Sequence, residues 1–210
     1  MRDDERVSQP HRLVYIRHGE TAWSRAGRHT GATDVPLTAT GEEQARALGP
    51  VLDDLALDRP TVLVSPRTRA ATTAELAGLT VTAVDPDLAE WDYGDYEGRT
   101  SAEIRVDDPG WTVWSAGAPG GESPEQVTAR VDRVLDRARS AMADGDVVLV
   151  AHGHLGRVLT ARFLRQPLAF GRNVMILPAS AAVFGYDRDD VPQLTRFGLT
   201  GYAAAHYAGR

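Results

Sequence analysis

Four short apolar segments, separated by stretches with helical periodicity, constrain this chain more than any other feature. Residues 13–16, 62–64, 81–84 and 147–151 each have strand length. Between them, one helix is expected after an N-cap at Thr38, running through Glu42, Ala45, Leu48 and Leu52. A second spans 66–77 and stops at Gly78, a C-cap glycine. The strongest pattern follows Ser123-Pro124, with Val127, Val131, Val134, Leu135, Ala138 and Met142 on one face, and ends near Gly145. A fourth covers 155–165, before Pro167. Strands alternating with helices predict an α/β fold: a three-layer α/β/α sandwich around a mainly parallel sheet, with lid loops over the carboxyl ends of the strands. Segments 181–186 and 193–197 read as a late hairpin at the sheet edge.

Two stretches break this rhythm. Residues 19–37 form a long polar connection, and residues 91–122 hold three of the four Trp together with Gly117, Gly120 and Gly121. Connections of this length in a compact domain usually carry function. Trp111 and Trp114 fit either a small satellite core under the second loop or a part of the site.

In an open parallel sheet, ligands sit outside the carboxyl ends of the strands. Arg17, His18 and Gly19 follow the first strand, and Ser65-Pro66-Arg67-Thr68-Arg69 follows the second. Glu90 comes after the third, and His152-Gly153-His154 after the fourth. Two imidazoles, at least two guanidinium groups and one carboxyl therefore converge on one edge. A neutral imidazole is a competent nucleophile toward phosphorus, Arg neutralises non-bridging oxygens, and a carboxylic acid protonates the leaving alkoxide. His152-x-His154 also reads as a metal pair. A metallohydrolase would add further His and Asp in nearby motifs, whereas this chain has six His, two of them in apparent tails. No metal and no cofactor are expected.

Composition narrows the classes. All 23 basic residues are Arg, which removes Schiff-base chemistry and the P-loop lysine. Cys is absent, so thiolate nucleophiles and disulfides are excluded. A net charge of −6 argues against nucleic acid as a partner. No apolar run is long enough to span a bilayer, so a soluble, cytoplasmic protein with no membrane partner is expected. Residues 1–11 and 201–210 read as tails around one domain, 12–200, with a lid insertion at about 91–122. The edge strand offers a surface for a homodimer.

Arg17-His18-Gly19-Glu20-Thr21, Ser65-Pro66-x-x-Arg69-Ala70, Leu88-x-Glu90 and Ala151-His152-Gly153, in this order, resemble the histidine phosphatase superfamily in its phosphoglycerate-mutase-like branch. The likeness runs from about Leu13 to Leu199. It implies that His18 becomes phosphorylated and that Arg17, Arg69 and His152 hold the phosphoryl group. It also implies that Glu90 serves as general acid and then base. Ser24, Thr30 and Gly31 would be phosphate or lid contacts, with the Gly153 N–H as a further donor. By the family's spacing Arg67 lies outside the pocket, facing solvent or a salt bridge. His154 and Arg157 read as packing or as contacts to the non-transferred part of the substrate, and Arg28 and His29 as loop contacts to substrate.

Segments 27–31, 90–98 and Trp111-x-x-Trp114 resemble the small acid phosphatases and sedoheptulose-bisphosphatase-like members. A mutase would bring more basic residues to the insertion than Arg99 and Arg105. Hydrolysis of a small phosphorylated metabolite is therefore expected, with a sugar-bisphosphate phosphatase or a phosphoglycerate mutase as the alternative. Two neighbouring Arg should depress the His18 pKa. Asp92, Asp95 and Glu97 should brace the loop after Glu90 and help keep Glu90 protonated, favouring mildly acidic pH.

Overall fold

The computed structural model describes residues 11–202. Six strands, β1 (Leu13–Arg17), β2 (Thr61–Val64), β3 (Ala83–Val84), β4 (Val147–Ala151), β5 (Ala181–Tyr186) and β6 (Pro192–Leu199), form one sheet. Their order is β3-β2-β4-β1-β5-β6. The first four are mutually parallel, and the β5–β6 hairpin closes one edge antiparallel to β1. The expected third strand shrinks to two paired residues, because it lies at the exposed edge, where Val84 is 58% accessible.

Eight helices accompany the sheet among the described residues: α1 (Ala22–Arg25), α2 (Ala39–Arg46), α3 (Leu48–Leu55), α4 (Thr68–Leu76), α5 (Ser101–Asp107), α6 (Val113–Ala116), α7 (Pro124–Ala141) and α8 (Gly153–Phe163). Side chains alternate across each strand, so β1 feeds two cores. Leu13 and Tyr15 join Val127 and Val131 of α7 and Leu155 and Leu159 of α8 on one face. Val14 and Ile16 join Leu48 and Leu52 of α3 and Ala70 and Ala74 of α4 on the other. The result is the three-layer α/β/α sandwich.

Local chemistry explains the boundaries. Thr38 caps α2 through the Gly41 N–H, and Ser123 caps α7 in a reciprocal pair with Gln126, with Pro124 in the first turn. The single helix expected from Thr38 to Leu52 is two helices meeting at Ala47. Pro50 is the reason: it has no N–H to give the Arg46 carbonyl, and its ring crowds that carbonyl.

Residues 91–122 are not one loop. They hold α5, capped by a Thr100–Glu103 box, and α6. Trp91 and Trp111 sit in the same cluster as Leu13 and Tyr15, with Trp114 packed against it, so this core is not a satellite. Two expectations about the tails change within the described residues. His11 is anchored to the Met142 carbonyl and to Asp58, and Gly201 packs on the Ala47 carbonyl. The remainder of both expected tails lies outside the described residues. No helix among the described residues is long and apolar enough to cross a membrane.

Candidate active site

Strand register assembles the site. Arg17 pairs with Ala151, so β1 and β4 end side by side. The next residues, His18 and His152, leave the sheet together, with the His18 N–H on the Ala151 carbonyl at 2.9 Å. The His18 and His152 rings meet edge-on, with centroids 5.2 Å apart and an interplanar angle of 65°. From β2, the Ser65 N–H bonds the Val150 carbonyl at 3.0 Å and carries the chain into α4, which supplies Arg69.

Hydrogen bonds fix both imidazole tautomers. His18 Nδ1 lies 2.7 Å from the Gly19 carbonyl, which only accepts, so Nδ1 carries the proton and Nε2 keeps its lone pair. Burial, then the charges of Arg17 and Arg69, hold the His18 pKa well below its ordinary value. The direction is the expected one, but dehydration outweighs the arginines. In His152, Arg69 Nε donates to Nδ1 at 3.3 Å, so Nε2 carries the proton to Ser65 Oγ at 2.6 Å. Burial, then His18 and Arg69, keep this ring neutral by lowering its pKa well below 6.5. Tyr15 secures the His152 backbone twice: its hydroxyl donates to the carbonyl at 2.6 Å and accepts the N–H at 2.9 Å.

Arg69 is completely buried and pins the first long connection under the site. Its Nη1 donates to the Thr33 carbonyl at 2.9 Å and its Nη2 to the Thr30 and Gly31 carbonyls at 3.0 and 3.3 Å. Asp34 caps α4 from outside by accepting from the Thr68 N–H and hydroxyl, and it lies 3.8 Å from Arg69.

This geometry redirects three of the expected substrate contacts. The Thr30 hydroxyl donates to the Arg28 carbonyl, and the Gly31 N–H to the Glu97 carboxylate. Both residues serve the site through the carbonyls that hold Arg69. The Ser24 hydroxyl is consumed in a capping box with Thr21 at the start of α1, a correction to its expected role as a phosphate or lid contact.

Gly153 makes room for a cation. A Cβ there would lie 3.3 Å from the Arg17 guanidinium carbon, and Arg17 Nη1 is held by the Ile176 carbonyl at 2.7 Å. The glycine beside His18 likewise serves a protein approach: a Cβ on Gly19 would meet the Gly41 carbonyl oxygen at 2.3 Å.

Glu90 faces the first turn of α8. Its Oε1 accepts the Trp91 and Leu155 N–H groups at 2.9 and 2.8 Å, and its Oε2 accepts the His154 N–H at 3.0 Å. A carboxylate offers about four lone-pair sites. Three are filled, which leaves one on Oε2. Two of the acidic neighbours, Asp92 and Glu97, brace the loops around Glu90, as expected. Glu97 accepts from the Gly31 and Thr33 N–H groups, and Asp92 from that of Gly94.

Arg130 of α7 donates to the Asp87, Ala89 and Glu90 carbonyls and to both oxygens of Glu122, which clamps the segment bearing Glu90. Sequence reasoning missed this residue. Its signal is an Arg at a buried helical position, between Val127 and Val131.

Other candidates lie around the cup. Arg67 makes no salt bridge among the described residues and faces solvent only in part. It is half-buried, its Nε is enclosed without a hydrogen-bond partner, and its charge helps lower the His152 pKa. Arg28 is tied to the Gly98 carbonyl and Glu103. The His154 ring bonds the Tyr93 hydroxyl at 2.6 Å and packs against His29 and Trp114. Arg157 stacks over Trp114 at 4.7 Å.

Comparisons with known proteins identify the family. The family model described as histidine phosphatase superfamily (branch 1) matches residues 13–200. An acid phosphatase of Mycobacterium tuberculosis is 48% identical over 199 residues, covering 95% of this chain and 98% of that protein. Sedoheptulose 1,7-bisphosphatase of Saccharomyces cerevisiae is 34% identical, over 86% of this chain and 77% of that one. A solved structure of an open reading frame product from Mycobacterium tuberculosis superposes with a TM-score of 0.90 at 48% identity, covering 92% of this chain and 100% of that chain.

Proposed function

The chain belongs to branch 1 of the histidine phosphatase superfamily, and from that premise we propose that it is an acid-phosphatase-type phosphomonoester hydrolase working through phospho-His18. The observation that carries this reading is the His18 Nδ1 contact to the Gly19 carbonyl, which leaves Nε2 with its lone pair in the field of Arg17 and the buried Arg69.

In the first step, Nε2 attacks phosphorus, a P–N bond forms and the P–O bond to the alcohol breaks. Arg17 and Arg69 balance the charge on the non-bridging oxygens. His152 backs the cup by fixing Arg69. Glu90 gives a proton from Oε2 to the departing alkoxide. In the second step Glu90 takes a proton from water as the water attacks phosphorus. The P–N bond breaks, and inorganic phosphate leaves. Positive charge from guanidinium groups supplies the electrostatic stabilisation.

Rapid acid-free quenching with a radiolabelled phosphomonoester tests this. Label should appear on the protein, stable to base and lost in acid, and be absent in His18→Ala, whose turnover should fall at least about a thousandfold. Glu90→Gln should lose about 10²–10⁴-fold with an alkyl phosphate but much less with an aryl phosphate, whose alcohol departs without a proton. Full labelling of His18→Ala would refute the assignment.

A further inference from the structure

Arg130, Arg133 and Arg137 recur at helical spacing along α7 and share one face of it. That face meets residues 85–90, the segment that delivers Glu90 to the cup. We propose that the buried end of this stripe, Arg130 together with Glu122, is a positioning unit for the general acid. It sets where the Glu90 carboxyl stands relative to the departing oxygen, without touching the substrate. The inference rests on the phosphatase reading and adds to it two residues that act through Glu90.

The three arginines hold that segment in different ways. Arg133 and Arg137 are exposed and grip side chains: Arg133 donates to the Asp87 carboxylate at 2.9 Å, and Arg137 to those of Asp85 and Asp87 at 2.7 and 2.9 Å. Exposed pairs of this kind contribute little. Arg130 is only 9% accessible and grips the main chain. Its Nη1 donates to the Asp87 and Ala89 carbonyls at 2.7 and 2.6 Å, and its Nη2 to the Glu90 carbonyl at 3.3 Å. Nε and Nη2 also donate to the two oxygens of Glu122. A guanidinium has five N–H donors, and all five are used. Arg130 therefore keeps none for a substrate anion, and a lysine, with three donors, cannot reproduce the set.

Glu122 completes the grip from the other side of Glu90. Its Oε2 accepts the Asp92 N–H at 3.0 Å, its N–H donates to the Asp92 carbonyl at 2.9 Å, and its carbonyl accepts the Trp91 indole N–H at 2.9 Å. The main chain is thus held at 87, 89, 90 and 92, with the Trp91 ring pinned between. Glu122 stands at the end of the lid insertion, so the acid is set only when the returning strand of the lid is docked on α7.

The carboxyl end of Glu90 has its own support, the N–H groups of Trp91, His154 and Leu155. Those bonds fix the two oxygens only if the side chain enters from a fixed backbone, and Arg130 and Glu122 provide that origin. Proton transfer needs the acid within about 3 Å of the departing oxygen, and a displacement of about 1 Å can cost about a hundredfold. An ion pair that only held the fold together would affect every substrate alike. A positioning unit acts where the proton is needed, so its loss depends on the leaving group.

The test divides kcat/KM for glycerol phosphate by kcat/KM for p-nitrophenyl phosphate. Both constants report the steps up to departure of the alcohol, and only glycerol needs a proton to leave. Arg130→Lys keeps the charge beside Glu122 but gives up at least two of the five donors. Glu122→Gln keeps the shape and removes the charge. Each variant should lower the ratio about tenfold or more, with p-nitrophenyl phosphate within about threefold of the parent. Arg133→Met, on the same face of α7, should leave the ratio within about twofold. Glu90 is also the base for water, so both positioning variants should release a burst of nitrophenol close to one per enzyme while phospho-His18 accumulates. A ratio unmoved in Arg130→Lys and Glu122→Gln would overturn the positioning role, as would an equal fall with both substrates alongside a lower Tm. A fall of the same size in Arg133→Met would overturn it too. A parent enzyme that hydrolyses neither compound would overturn the phosphatase reading instead.

Discussion

The cup around His18 and the cleft of about 220 Å³ lined by Arg105, His154, Arg157 and Arg172 are adjacent, share His154, and are built on opposite plans. The cup stands on strand ends. Each of its groups follows a paired strand, and its donors are set by backbone bonds such as His18 N–H to Ala151 and Ser65 N–H to Val150. The cleft stands on short helices and a turn: α5 and α6 of the lid, the first turns of α8, and the segment at Arg172. Rigid placement suits a site where a reacting atom must be held within fractions of an ångström. A wall of short elements suits the part of a site that distinguishes one alcohol from another.

The largest test of this contrast is Arg69→Ala. Arg69 joins the loop carbonyls of Thr30, Gly31 and Thr33 to His152 Nδ1 and belongs to the phosphate-binding set. Its removal should cost about 10²–10³-fold in kcat, the effect of losing one donor to a developing oxyanion. It should also expose residues 30–34 to proteolysis, because three carbonyls lose their partner together. Steady-state kinetics and limited proteolysis measure the two effects. An enzyme that lost activity but kept the loop protected would show that the cup and its floor are independent.

The two regions differ equally in what the sequence discloses. The strand ends are legible because a short apolar run followed by Arg17-His18 or by His152-Gly153 leaves one place for those side chains to go. The sheet order then brings them together through parallel pairing. Arg172 was not legible. It lies far from any motif, in a segment whose turn packs on α8 only through tertiary contacts such as Arg157 to the Gly171 carbonyl. Arg105 drew notice only as one of two basic residues in the insertion. That it shares a cleft with Arg157 and Arg172 is a product of the fold, which spacing does not reveal. Ser24 failed for a different reason. Position along a motif placed it near phosphate, but a hydroxyl three residues after a Thr satisfies that Thr's N–H first.

Acid stability offers an intermediate effect and separates the two regions by their histidines. His18 and His152 in the cup, and His29 and His154 in the cleft, all have folded pKa values below the ordinary one. Such groups are neutral in both states above about 6.5. As pH falls below that value the unfolded chain takes up protons that the folded chain refuses, so stability is lost from 6.5 down to each folded pKa. For His29 the window runs from 6.5 to about 4, and the shift corresponds to about 3 kcal/mol. Urea unfolding at pH 7 and pH 4 should show His29→Gln losing about 3 kcal/mol less than the parent across that interval. An equal loss in both proteins would show that His29 contributes nothing to the acid response.

The smallest effect is expected at Ser24, and it bears on where the site stops. The Ser24 hydroxyl donates to the Thr21 carbonyl at 3.1 Å and accepts the Thr21 N–H at 2.9 Å, while the Ser24 N–H donates to Thr21 Oγ1 at 3.1 Å. Every bond of that hydroxyl is therefore local to α1. Ser24→Ala removes one half of a capping box and should lower stability by about 1 kcal/mol. The KM for p-nitrophenyl phosphate should stay within about twofold, since no charge-assisted contact to phosphate is lost. Ser24→Asn sharpens the distinction. A longer amide can still accept the Thr21 N–H but also reaches past the helix start, so a lower KM in that variant with an unchanged one in Ser24→Ala would place the edge of the cup at this position. A KM raised tenfold by Ser24→Ala would instead return the hydroxyl to the phosphate and extend the rigid region into the first long connection.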